Sequence, residues 1–134
     1  MKRRLVNPPG TEAIYRSWHF SQAVRVGDTV FVSGQVGMDE KGIAEGIEAQ
    51  ARAAFGNLKR VLEAAGATLG DVVELTTFHV DMGETAAFAK VKDEFFPERY
   101  PAWTAVGTPA LVLPPLRVEV RATAVVGSAE VETA

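Results

Sequence analysis

Glu119 is the side chain in this 134-residue sequence best placed to do polar chemistry. It stands mid-way along an alternating run, with Arg117 and Arg121 on its own side of the strand. Two readings follow. The plain one is a solvated sheet face whose alternating charges pair across strands. The sharper one is a carboxylate in a pocket between subunits, where it orients water or accepts a proton. Other chemistry is sparse. The chain has no cysteine, which removes disulfides, thiolate nucleophiles and Cys-based metal sites. His19 and His79 lie far apart without ligand spacing, so no metal site is expected. His79, on a mostly apolar stretch, reads as a satisfied core or interface residue rather than a base. No dinucleotide fingerprint, phosphate-binding loop or nucleophile elbow occurs. Ser33-Gly34-Gln35-Val36-Gly37 bears glycines but ends a strand-like run instead of opening a helix, so phosphate cradling is not expected.

These residues need elements to hold them. Leu116–Val126 reads as a strand, with Leu116, Val118, Val120, Ala122 and Ala124 on one side and Arg117, Glu119, Arg121 and Thr123 on the other. Ser21–Val26 and Thr29–Val36 read as two strands joined by Gly27-Asp28. Gly34 interrupts the second, which marks a bulge or a close approach to the backbone. A short strand is expected at Arg4–Val6, within a first 18 residues otherwise read as loop. Met38–Gly46 also reads as loop. Ile47–Ala65 is the clearest helix, with an apolar stripe through Ala51, Phe55, Leu58 and Leu62 and a Glu48–Arg52 pair on its other side. Gly66 is its expected end and Gly56 a tolerated surface glycine. Val72–Val80 is a strand with both faces largely apolar or neutral. A second helix runs from about Thr85 to Phe96 and stops at Pro97.

Tyr100-Pro101-Ala102-Trp103-Thr104-Ala105-Val106 then opens a strand over Ala102–Thr108. A proline-led entry suits a strand's first residues, and the large Trp103 placed there is the feature that needs explaining. The order of elements implies an α+β fold: a mixed sheet with two helices packed on one face. Its second face should be partly buried by oligomerisation.

Length and composition fit one domain over residues 1–126 with a flexible tail at 127–134. A net charge of −3 argues against a nucleic-acid partner. No signal-peptide or membrane-spanning apolar run occurs, which with the absent cysteine is compatible with a cytoplasmic protein.

The stretch Phe20-Ser21-Gln22-Ala23-Val24, followed by Val30-Phe31-Val32-Ser33-Gly34-Gln35, resembles the opening of the RidA (YjgF/YER057c/UK114) family. Ala49-Gln50-Ala51-Arg52 through Leu62-Glu63-Ala64-Ala65-Gly66 resembles that family's long helix, Asp71–Met82 its next strand and Val118-Glu119-Val120 its last. The resemblance runs from about Ala13 to Val126. It implies a chorismate-mutase-like subunit in a homotrimer, with small-molecule sites between subunits, no cofactor, and hydrolysis of reactive enamines and imines. On that resemblance Glu119 is the catalytic carboxylate that positions water. Ser33 and Gly34 line the cleft, with backbone groups near them and near Thr104 binding the polar centre. Two positions depart from the family pattern. Phe20 replaces the tyrosine of Gly-Pro-Tyr-Ser-Gln, and Trp103 replaces the arginine of Pro-Ala-Arg-Ser.

That arginine would hold a substrate carboxylate through a bidentate contact, which an indole cannot reproduce. Weak or absent 2-iminopropanoate deaminase activity is therefore expected. Arg121 is a possible substitute anchor, and Trp103 a possible stacking platform for a neutral or aromatic ligand. The alternative from another class is a non-catalytic trimer that binds a metabolite or a protein. A ribonuclease is the weakest reading, for want of a basic groove.

Overall fold

Alternation decides the layers. Along the last strand, β8 (Val118–Val125), Val118, Val120, Ala122 and Ala124 are buried while the residues between them are not. That is the period of a strand covered on one face only. The computed structural model describes residues 1–133 and places β8 inside a six-stranded sheet. The order is β1 (Arg3–Val6), β2 (Ala23–Val26), β3 (Thr29–Val36), β8, β6 (Val72–His79) and β7 (Ala102–Gly107). Neighbours are antiparallel except β6 and β7, which run parallel and are joined through α3 (Thr85–Phe95). Two further strands, β4 (Met38–Asp39) and β5 (Gly42–Ile43), make a small separate hairpin where the sequence suggested loop.

The long helix α2 (Ile47–Ala64) lays Ala51, Ala54, Phe55, Leu58 and Leu62 on the sheet with no exposed surface. Phe55 meets Phe88, Phe95 and Phe96 at ring-centroid distances of 5.5, 5.3 and 5.7 Å, which locks α2 to α3. The helix ends as expected at Gly66, whose φ of 85° is easy only for glycine. There the Ala67 N–H reaches the Leu62 carbonyl at 2.8 Å and the Gly66 N–H reaches Glu63 at 3.1 Å, a Schellman closure.

The first segment departs from expectation: Glu12–Trp18 forms a helix, α1, rather than loop. It buries no residue, so no apolar stripe announces it. The charge pair also differs. Arg52 gives its fork to Glu94 of α3, at 2.8 and 3.2 Å, instead of pairing with Glu48 one turn away. At the far end, the Gly127 N–H and the Ser128 hydroxyl bond to Asp71 at 3.1 and 3.3 Å, so the segment read as a tail begins pinned to the body. Its last residue, Ala134, lies outside the described residues.

The face of the sheet away from α2 and α3 exposes Leu5, Phe31 and Val106 beside the partly buried Phe78. No helix among the described residues is long and apolar enough to cross a membrane.

Candidate functional site

The site is built on an irregularity in β3. Its register with β8 slips between Val32 and Gln35, leaving Ser33 and Gly34 in a bulge. An ideal Cβ on Gly34 would stand 2.6 Å from Cδ of Glu119 and 2.8 and 2.9 Å from its two carboxyl oxygens. The carboxyl therefore occupies the space a side chain would need, and glycine is the residue that leaves it free. Both expectations for Gly34, bulge and close approach, are met at one position. Glu119 pairs with Val36 on one side and Phe78 on the other. Burial among these neighbours raises the pKa of its carboxyl, and among the described residues it has no hydrogen-bond partner.

The cross-strand charge pairing considered for this face is not what forms. Arg117 lies just before β8 and turns to Glu84, with contacts of 2.7 and 2.9 Å. Arg121 shares the face of Glu119 as expected, but among the described residues no hydrogen bond or ion pair joins the two. It sits instead in a row with Thr76 and Thr104, since Thr76 is opposite Arg121 on one side and Thr104 on the other.

Ser33 is already committed. Its hydroxyl donates to the Ser21 carbonyl at 2.7 Å and its N–H to the Gln22 carbonyl at 2.9 Å, which holds the Phe20 loop against the bulge. Phe20, 42% exposed, then lines a cleft of about 490 Å³ together with Gly34. The helix α2 supplies Asn57, Arg60 and Val61 to the same cleft, and Glu119 is not part of its wall.

Trp103 points the other way. On β7 it is opposite Leu75, whose side chain is fully buried under the helices. Its indole N–H donates to the Thr77 hydroxyl at 2.9 Å, and its ring lies against Phe88 at 6.1 Å. The Lys92 ammonium sits 4.8 Å from the ring centroid, a cation–π contact from a residue that is itself only 8% exposed. Thr77, accepting from Trp103, can give its own proton to His79 Nε2, 2.7 Å away. That leaves the ring proton on Nδ1, which is buried without a partner. His79 is thus a core residue, as expected, but only half satisfied. Burial holds its pKa below the usual histidine value, with a smaller opposing pull from Glu84.

The sheet therefore separates the candidates. Glu119, Arg121 and Thr104 face away from α2 and α3; Trp103 faces α3; Phe20 lies at the β3 rim. Gly34 adjoins both Glu119 and the cleft beside Phe20. Lys92, Thr77, Asn57 and Arg60 were not singled out from the sequence. Lys92 had a signal, since it falls four residues after Phe88 on the helix's buried stripe. Asn57 and Arg60 had none. Among the described residues no group of three or more His, Asp or Glu side chains could hold a metal ion.

The sequence and fold match known proteins. The profile described as Endoribonuclease L-PSP matches residues 10–126. The RutC family protein YjgH of Escherichia coli (strain K12) is 43% identical over 110 residues, covering 80% of this chain and 84% of that protein. A 2-iminobutanoate/2-iminopropanoate deaminase of Dermatophagoides farinae is 40% identical over 95 residues, covering 69% of this chain and 74% of that one. The crystal structure of Rv2704 from Mycobacterium tuberculosis, of the YjgF/YER057c/UK114 family, superposes with a TM-score of 0.83 at 33% identity, covering 93% of this chain and 100% of that one. On the length of these matches, the chain belongs to the RidA (YjgF/YER057c/UK114) family.

Proposed function

We propose that the protein is a cofactor-independent hydrolase or deaminase acting on a small imine, enamine or related C=N compound in the cytoplasm, in a cleft completed by a neighbouring subunit of a homotrimer. The observation that carries this reading is the Glu119 carboxyl, desolvated, without a partner and seated over bare backbone at Gly34. A carboxyl with a raised pKa can take a proton from water as it adds to the C=N carbon, then return it to the departing nitrogen as ammonia leaves. Backbone groups at the Ser33-Gly34 bulge and at Thr104 would bind the polar centre. The 40%-identical relative named as an iminobutanoate/iminopropanoate deaminase supports the reaction class. Leu5, Phe31 and Val106, exposed on the open sheet face, support burial against other copies.

Small imino acids are a poor fit. Trp103 is neutral and spends its N–H on Thr77, so it offers a carboxylate nothing comparable to an arginine fork. Losing such a contact costs on the order of a thousandfold in rate. Freshly generated 2-aminoacrylate should yield pyruvate little faster than in buffer, while neutral imines should be hydrolysed and Glu119→Gln should abolish that turnover. Rapid pyruvate release would overturn the poor fit of imino acids, and an active Glu119→Gln protein would sink the catalytic role of Glu119. A Trp103→Arg variant that gains pyruvate release would mark the imino-acid site as dormant rather than dismantled.

A second reading, a non-catalytic trimer that binds a metabolite or protein, draws on one observation. The hydroxyl of Ser33 and the indole of Trp103 are both consumed by internal hydrogen bonds. Binding that survives Glu119→Gln with no turnover in either protein would favour it.

A further inference from the structure

The cleft beside Phe20 contains a guanidinium that imine hydrolysis at Glu119 does not use. Arg60 Nη1 donates to Asn57 Oδ1 at 3.2 Å. Asn57 is itself fixed from behind, because its amide nitrogen donates to the Val36 and Met38 carbonyls at 3.1 and 2.8 Å. With both amide protons used on backbone acceptors, the amide cannot flip, and its oxygen must face Arg60. The end of β3 and the start of β4 thereby orient the guanidinium through one rigid side chain. Among the described residues Arg60 has no further bonded partner, so the rest of its fork is free, on a residue that lines the cleft.

We propose that this cleft is a binding site for a small monocarboxylate with a flat or branched apolar body, anchored by Arg60. A carboxylate matches the free part of the fork through parallel hydrogen bonds. Phe20, Ile14, Val36, Met38 and Val61 supply an apolar wall for the body. A volume of about 490 Å³ suits a ligand of that size. Asp39 and Glu40 also line the cleft, and the Asp39 carboxylate is held in its own turn by the Lys41 N–H at 2.8 Å. These two acids weaken the binding of any anion and oppose a dianion more strongly, so the site favours a monoanion over dicarboxylates and phosphates. Glu119 is not part of its wall, so the ligand would be held by groups other than the candidate catalytic carboxyl.

Benzoate is the probe, with benzamide as its neutral counterpart and phthalate as its dianion. Calorimetry gives the affinities, and methyl NMR shifts of Ile14, Val36 and Val61 locate the ligand. Benzoate should bind at least about tenfold tighter than benzamide, the value of one charge-assisted contact. Phthalate should bind more weakly than benzoate. Arg60→Gln should bring benzoate to the benzamide level, Arg60→Lys should fall between, and Glu119→Gln should change nothing. Arg60 is exposed, and a circular-dichroism melt checks that both variants fold. The proposal is overturned if benzoate produces no methyl shifts up to about 10 mM, or if Arg60→Gln binds it as the native protein does. Methyl shifts centred on Val106 instead would overturn it too, without touching the hydrolase reading.

Discussion

Gly34 lies so close beneath Glu119 that any side chain there would take the carboxyl's place, an ideal Cβ standing 2.6 Å from Cδ. The bulge in β3 and the desolvated carboxyl on β8 are thus one feature seen from two strands. The slip of register brings bare backbone up to the acid, and the acid fills the space so made.

Gly34→Ala tests that relationship. The new methyl meets the far end of a flexible side chain, so Glu119 swings away and stability falls by only about 1 kcal/mol. Turnover of a neutral imine should fall as far as in Glu119→Gln. In a Glu119→Ala background the same substitution should cost nothing further, a non-additivity that urea titrations of the single and double variants measure.

Gly37→Ala should behave differently, although it lies only three residues away, just past the end of β3. A Cβ there would stand 2.5 Å from Gln50 Cβ and 2.7 Å from its Cα, and backbone cannot swing aside. Gln50 also bonds the Ala44 and Pro115 carbonyls and the Arg117 N–H, so its displacement loosens the entry to β8. A loss of about 3 kcal/mol or more is expected by urea denaturation.

The pH dependence of stability should carry the mark of Glu119. Its pKa is raised in the folded chain above 4.5, so the folded state holds the proton more tightly than the unfolded one. Stability from this group is full below 4.5 and is lost as pH rises through the folded value. Glu119→Gln should therefore melt higher than the native protein at neutral pH, with the gap closing in acid. Equal melting points at pH 7.5 would mean the carboxyl is not desolvated.

His79 has the opposite sign. Its pKa is lowered below 6.5 by burial, so its contribution is intact above 6.5 and lost as pH falls through the folded value. His79→Gln should flatten that acid-side decline.

The chain of bonds from Trp103 through Thr77 to His79 offers a separate check. Trp103→Phe removes an N–H donor and weakens the contact with Lys92, at an expected cost of about 1 to 2 kcal/mol. With Thr77→Val already in place, part of that cost should vanish, since the acceptor is gone.

Periodicity alone determined the strands and helices that bury a face: the alternation along β8, the apolar stripe of α2, the Gly66 stop and the Gly34 interruption all depend on neighbours in sequence. Residues 12–18 escaped because a helix that buries nothing leaves no stripe to read. The alternating pattern picked out Glu119, and family motifs its role and the replacement at Trp103, but not where either side chain points. That depends on strand register. Leu75 opposite Trp103 turns the indole toward α3, while Phe78 opposite Glu119 turns the carboxyl away. One residue of slip on either strand would reverse it. Likewise Arg117 could have paired within its strand and Arg52 within its helix. Both found carboxylates 33 and 42 residues distant, at Glu84 and Glu94. The cleft around Arg60 is the extreme case, since it joins four separate stretches of chain. Such contacts are decided by which surfaces the core brings together, and no local pattern encodes them.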